Sequence, residues 1–216
     1  MSDLYGPSHR RLQDEHDTTR LADRLEALAH VEIPPDERAF IESRPMVFLS
    51  TVDHRGRPTV SYKGGAPGFV RVLDDNRLVF PSYDGNGMFL SLGNIAANPE
   101  IGMLFIDFER PRRLRLQGRA ALLRDDPLLA SYPGARMLVR VDPEQVFVNC
   151  GRYIHRSAGS RLSPHIPDAG GCQPFPAWKR IDIFGDVLPA ADSRRVAEAG
   201  GPITVADYPG EDDPPG

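Results

Sequence analysis

PTVSYKGGAPGFVRVLDDNRLVFPSYDGNGMFLSLGNIAANPEIGMLFIDFERPRRLRLQG, residues 58–118, decides the fold. TVSYKGG alternates β-formers with polar residues, as a half-buried strand does. FVRVLDD and RLVFPS follow, with Asp74-Asp75-Asn76 as a hairpin loop between them. Gly85-Asn86-Gly87 then breaks the chain, and MFLSLGNIAANP reads as a helix that stops before Pro99. Two longer strands close the stretch, IGMLFIDF and RLRLQGRAALL, the second with a bulge expected at Gly118.

The flanks extend this pattern. Upstream, MVFLSTVD is a strand that turns back through His54-Arg55-Gly56-Arg57-Pro58. Residues 8–30 read as a helix, with Leu21, Leu25 and Leu28 at i, i+4 and i+7 and Thr18 or Thr19 as a cap for its main part. A second short helix follows Pro34-Pro35, with Asp36 as its cap and Phe40 and Ile41 inward. Downstream, Asp125 to Ala130 reads as a helical turn, and MLVRV and EQVFVNC as two more strands. After Gly151 the pattern loosens into Ser, Gly and Pro, and the tail 185–216 is expected to be irregular.

Composition agrees with strands and turns. Gly 20 and Pro 21 among 216 residues are about 19% of the chain, which rules out a helical bundle. With 26 Lys and Arg against 30 Asp and Glu, the net charge of −4 carries no basic block for phosphate-driven nucleic-acid binding. No apolar run is long enough to span a bilayer, and MSDLYGPSHRRLQDEHD has no secretory h-region. The expectation is a cytoplasmic protein with reduced thiols at Cys150 and Cys172, bound to neither nucleic acid nor membrane. The six histidines are scattered without metal-ligand spacing, so no metal is expected.

The ordered set of a strand with an embedded Lys, a hairpin, a Gly-Asn loop, a helix ending in Asn-Pro and a basic strand resembles the pyridoxamine 5′-phosphate oxidase-like, FMN-binding split-barrel family. The resemblance covers residues 38–125 and extends more weakly to 136–184 through VFVNCGRYIHR and PAWKR. It implies a mainly β, α+β fold: a six-stranded antiparallel split β-barrel with flanking helices and an extended C-terminal segment. The organisation expected is an N-terminal helical segment over 1–37, the barrel over 38–184, and the tail.

The resemblance also implies a homodimer with FMN at the subunit interface and a small-molecule substrate. Ser61, Tyr62, Lys63 and Gly64 match the strand that passes along the flavin ring, where a cation stabilises the reduced anionic form. Pro81, Ser82, Tyr83, Asn86, Gly87, Met88 and Ser91 match the phosphate loop and the start of its helix. Many relatives carry a basic residue in that loop; here Gly87-Met88-Phe89 stands there, leaving Lys63, Arg112, Arg113 or Arg115 to supply charge. Arg113 matches a polar position that reaches the flavin. Cys150, Arg152, Tyr153, His155 and Trp178 are candidates for the substrate side.

Blander readings stand beside these. Lys63 also reads as a solvated strand residue, the Gly-Asn-Gly loop as an ordinary turn, the arginine strand as a charged edge, and Cys150 as a small core residue. The function implied is an FMN-dependent oxidoreductase. The alternatives are a non-catalytic flavin-binding protein, or the same barrel using deazaflavin or haem.

Overall fold

The structure is a computed structural model; it describes residues 4–74, 76–151, 154, 155, 157 and 165–208. Seven antiparallel strands form one sheet in the order β2-β1-β5-β6-β7-β4-β3. They are β1 (Met46–Val52), β2 (Pro58–Gly64), β3 (Arg71–Val72), β4 (Leu78–Ser82), β5 (Glu100–Asp107), β6 (Arg112–Leu123) and β7 (Met137–Asn149). Three helices precede the sheet, α1 (Pro7–Glu15), α2 (Thr19–Glu26) and α3 (Pro35–Ser43), and α4 (Leu90–Ala97) lies between β4 and β5.

The α+β class and antiparallel sheet agree with the sequence, but the sheet has seven strands rather than six and is not closed. FVRVLDD contributes only the two-residue β3, while MLVRV and EQVFVNC fuse into one strand of 13 residues. The fusion runs through Pro143, which lies opposite Gly118 where the β6–β7 register shifts. A bulge tolerates a residue without an N–H, so proline ends no strand there.

Alternation sorts the strands into an inner and an outer face. On β6, Leu114, Leu116 and Ala120 are buried, while Arg115 and Gln117 point outward. Val47, Leu49, Phe80, Met103, Phe105, Val139 and Val141 join Phe40 and Ile41 of α3 in the main core. Asp36 lies in the first turn of α3 and the cap is Pro34, two residues earlier than expected.

The expected helix over 8–30 is instead a hairpin. Asp17 takes a left-handed backbone, φ 51°, and splits it into α1 and α2. Arg10 of α1 reaches Asp23 at 2.5 Å and Glu26 at 2.7 Å on α2, so the polar faces meet. The leucine stripe consequently turns outward, with Leu21 59% and Leu28 64% exposed. The helix expected from Met88 to just before Pro99 begins at Leu90, because Phe89 also has positive φ, 49°. The helical turn near 125–130 is a short 3₁₀ helix, Pro127–Ser131, capped by the Asp126 carboxylate.

The chain divides into two compact units, Met1–Leu162 and Ser163–Gly216, so the expected boundary at residue 184 falls inside the second. That unit is not irregular throughout: α5 (Ala190–Glu198) lies within the expected tail. Lys179 bonds Asp192 on α5 at 3.0 Å, and Ile181 bridges Ile203. No helix among the described residues is long and apolar enough to cross a membrane.

Candidate functional site

A cavity of about 280 Å³ opens in the first unit where β2, β4 and the start of α4 converge. Strand alternation builds one wall: Thr59, Ser61 and Lys63 share a face of β2, and Val60 and Tyr62 the other. Helical spacing sets the opposite side: Ser91 of α4 meets Ser61 at the cavity, and Asn94, three residues on, bonds Thr59 beyond it.

Ser61 Oγ and Ser91 Oγ lie 3.0 Å apart, and Lys63 Nζ donates to Ser91 Oγ at 3.4 Å. Burial lowers the proton affinity of Lys63, and no carboxylate pairs with it among the described residues. Burial also raises Tyr83 at the same cavity, partly opposed by the nearby Arg71 charge.

The loop from Ser82 to Leu90 forms the rim. Asn86 shapes it: its Oδ1 accepts from the Met88 N–H at 3.1 Å, and its Nδ2 contacts Met88 Sδ at 3.3 Å. Met88, Phe89 and Leu90 stand exposed at the mouth. The first turn of α4 presents unpaired backbone N–H groups and the positive end of the helix dipole.

One cation of this cavity was missed from the sequence. Arg136 lies 46 residues beyond the end of the loop at Leu90, immediately before β7. Its backbone N–H donates to Ser82 O at 2.9 Å, and Nη2 binds Asp84 Oδ1 at 2.9 Å. The pairing of Ser82 with Met137 carries it there. The only local signal was its position just ahead of a strand that returns to β4.

Of the expected flavin-contacting residues, Ser61, Lys63, Ser82, Tyr83, Asn86, Gly87, Met88 and Ser91 line this cavity. Tyr62 faces away, 60% exposed and edge-on to Phe48 at 6.0 Å. Gly64 ends β2 outside the lining, where a side chain would meet the Tyr62 ring at 2.9 Å. Pro81 is buried in β4 opposite Leu138.

Arg113 belongs to a second, open cleft of about 760 Å³ on the outer face of the sheet, with Arg115, Gln117, Phe48 and Asn149. Its Nε is buried without a hydrogen-bond partner among the described residues. Arg112 spans to Asp36 at 3.4 Å and packs on Phe40. Cys150 and His155 are exposed and line neither cavity. Arg152 and Tyr153 lie outside the described residues. Trp178, in the second unit, packs edge-on against Phe184 at 5.6 Å.

A flavin mononucleotide would bring this lining a phosphate at one end and an apolar ring at the other. Three serine hydroxyls, Lys63, Arg136 and a helix N-terminus suit a phosphate, and Met88, Phe89 and Leu92 suit an apolar ring edge. The donor set fits the group. The enclosed volume falls just below the ~300–1,000 Å³ usual for small-molecule sites, so one chain surrounds only part of such a ligand.

Residues 33–150 match the family model described as pyridoxamine 5′-phosphate oxidase. The comparison with curated proteins found no match. Similar solved structures include HupZ of Group A Streptococcus, 17% identical, covering 58% of this chain and 99% of that one with a TM-score of 0.45. A protein from Lactobacillus delbrueckii, proposed to be a pyridoxamine 5′-phosphate oxidase, is 23% identical, covering 55% and 95% with a TM-score of 0.45. HutZ, a haem storage protein of Vibrio cholerae, is 22% identical, covering 54% and 94% with a TM-score of 0.41.

Proposed function

Since the chain belongs to the pyridoxamine 5′-phosphate oxidase family, we propose that the cavity between β2, β4 and α4 binds FMN and that the protein is a flavin-dependent oxidoreductase. The observation that carries the reading is the convergence of Lys63, Ser61, Ser91 and Arg136 on one cavity at the start of α4.

FMN, when bound, supplies hydride and electron transfer. The chain's own residues bind and orient. Arg136, braced by Asp84, and the hydroxyls of Ser82 and Ser91 hold the phosphate end. Lys63, 3.4 Å from Ser91 Oγ, would add its charge at the same anionic end. Met88 and Phe89 exclude water from the ring's apolar edge.

A second copy completes the enclosure in this reading. The small enclosed volume supports it, as do the exposed Val60 and Tyr62 of β2 beside the outer cleft. In the dimer, Arg113 gains a partner for its buried Nε. The substrate is a small molecule, and the setting proposed is the cytoplasm.

The absorption spectrum of the purified protein, with the mass of any released cofactor, tests the reading. A flavin spectrum and the mass of FMN support it. A Soret band overturns it, as does a colourless protein whose melting is unmoved by excess FMN, because ligand at 100 times its Kd adds ~2.7 kcal/mol.

A further inference from the structure

The chain spends lysine sparingly. Among 26 Lys and Arg residues, lysine stands only at positions 63 and 179. Lys179 is 4% exposed and bonded to Asp192 at 3.0 Å, a structural pair. Lys63 is different: it lines a cavity, and its one hydrogen-bond partner among the described residues is the Ser91 hydroxyl.

A fixed cation at an anion site is better served by arginine, whose forked guanidinium holds two oxygens and keeps its charge. What lysine alone offers is an amine that can shed its proton and attack carbon. Burial acts on Lys63 in that direction, and the acid facing the same cavity, Asp84, is engaged by Arg136. Tyr83 is the remaining titratable group on the lining.

We infer that Lys63 is a carbonyl-condensing amine, taking a small aldehyde that bears an anionic group, with the anion held by Arg136 and Ser82 and the carbonyl carbon bonded to Lys63 Nζ. The step balances without oxidant or reductant. The neutral amine adds to the aldehyde carbon, a C–N bond forms, and the carbonyl π pair moves to oxygen. That oxygen leaves as water with the two amine hydrogens, and an imine remains. Ser91 Oγ, 3.4 Å from the nitrogen and 3.0 Å from Ser61 Oγ, relays the proton from nitrogen to the departing oxygen. The inference concerns the flavin-free cavity, where Lys63 gives up the proton that it would keep against a bound phosphate.

The test uses the full-length protein, stripped of any bound cofactor, with 4-carboxybenzaldehyde as probe, benzaldehyde as neutral control and cyanoborohydride to trap the imine. Intact mass and peptide mapping read the adduct. A single adduct on residue 63 is expected, outpacing Nα-acetyl-lysine in the same tube by about tenfold for each unit by which the amine's pKa falls. Lys63→Arg, with its fold checked by circular dichroism, abolishes it. Arg136→Ala removes the preference for the carboxylate-bearing probe.

Adducts confined to the N-terminal amine overturn the inference. So does labelling of Lys63 no faster than the free lysine, or equal labelling by both aldehydes. Excess FMN protects Lys63 if both readings hold. A protein that forms the adduct but takes up no FMN retains this inference and loses the flavin reading. One that binds FMN but never labels at Lys63 does the reverse.

Discussion

Asn94 Nδ2 donates to Thr51 Oγ1 at 3.0 Å across the seam between α4 and the β1–β2 hairpin, with both residues buried. The same amide lies 3.3 Å from Thr59 Oγ1, and the two threonines are 2.8 Å apart. This polar knot fixes the rotation of α4, and so places Ser91, one turn earlier, against Ser61 and Lys63.

Replacing Asn94 by Ala is expected to destabilise the fold by about 1–2 kcal/mol and to weaken FMN binding, although residue 94 is outside the cavity lining. The urea midpoint should fall with its slope unchanged. An unmoved midpoint would show that α4 is held by its apolar contacts alone.

Gly118 sits at the β6–β7 bulge, where a Cβ would come within 2.3 Å of the Asp142 carbonyl oxygen. Backbone cannot swing aside as a side chain can. Gly118→Ala is therefore expected to cost ~1–3 kcal/mol, read as a lower melting temperature and midpoint. Wild-type stability in this variant would remove the close approach as the reason for glycine.

Most of the sheet was legible because its signals are local. Leu114, Leu116 and Ala120 alternate with Arg115 and Gln117, and Gly118 announced its bulge. The break at Asp17 and the late start of α4 at Phe89 were not legible, since both depend on positive φ at residues that usually avoid it. Pro143 looked like a strand end because its tolerance comes from a partner across the sheet. In the site, Ser61 and Lys63 were readable, whereas Tyr62 was expected there with them although strand alternation sets it on the opposite face. Arg136 was hidden because strand pairing, not sequence spacing, brings it to Ser82.

Asp53 holds the β1–β2 turn. Its Oδ1 accepts from the Arg57 N–H at 2.9 Å and the Arg55 N–H at 2.8 Å, and Oδ2 from Arg55 Nη2 at 2.8 Å. These bonds, that of Arg57 foremost, outweigh the cost of desolvation and bring the carboxyl from 3.8 to about 2. A depressed carboxyl stabilises the fold above its unfolded pKa and loses that contribution as pH falls toward 2. Stability measured between about pH 4 and pH 2 should drop less steeply in Asp53→Asn than in wild type. Identical slopes would discount the turn.

His30 links the N-terminal hairpin to α3. Nε2 lies 2.9 Å from Glu37 Oε2 and Nδ1 3.1 Å from Leu28 O, so both ring nitrogens face acceptors and the imidazolium satisfies both. Burial opposes the charge, but the Leu28 carbonyl and the carboxylates of Glu37 and Asp36 outweigh it, and the net shift is upward from 6.5. Arg112 partly occupies Asp36, at 3.4 Å. A raised histidine contributes fully below its unfolded pKa and loses that contribution as pH rises through the folded value. Stability should therefore decline from about pH 6.5 upward in wild type and not in His30→Gln. A decline of equal size in the variant would assign it elsewhere.

Arg136 supplies the charge that the Gly87-Met88-Phe89 loop lacks, and its guanidinium is already oriented by Asp84 at 2.9 Å. Because the side chain is 56% exposed, water and salt screen what it gives a phosphate, which limits the gain to about 1 kcal/mol. Arg136→Ala should then weaken FMN binding roughly threefold to tenfold and flatten its dependence on salt. Riboflavin, which carries no phosphate, should bind the variant and the wild type equally well. Titration of the stripped protein followed by flavin fluorescence separates these cases. Equal losses for FMN and riboflavin would move Arg136 from the phosphate to the scaffold, leaving Lys63 and the start of α4 to meet the charge alone.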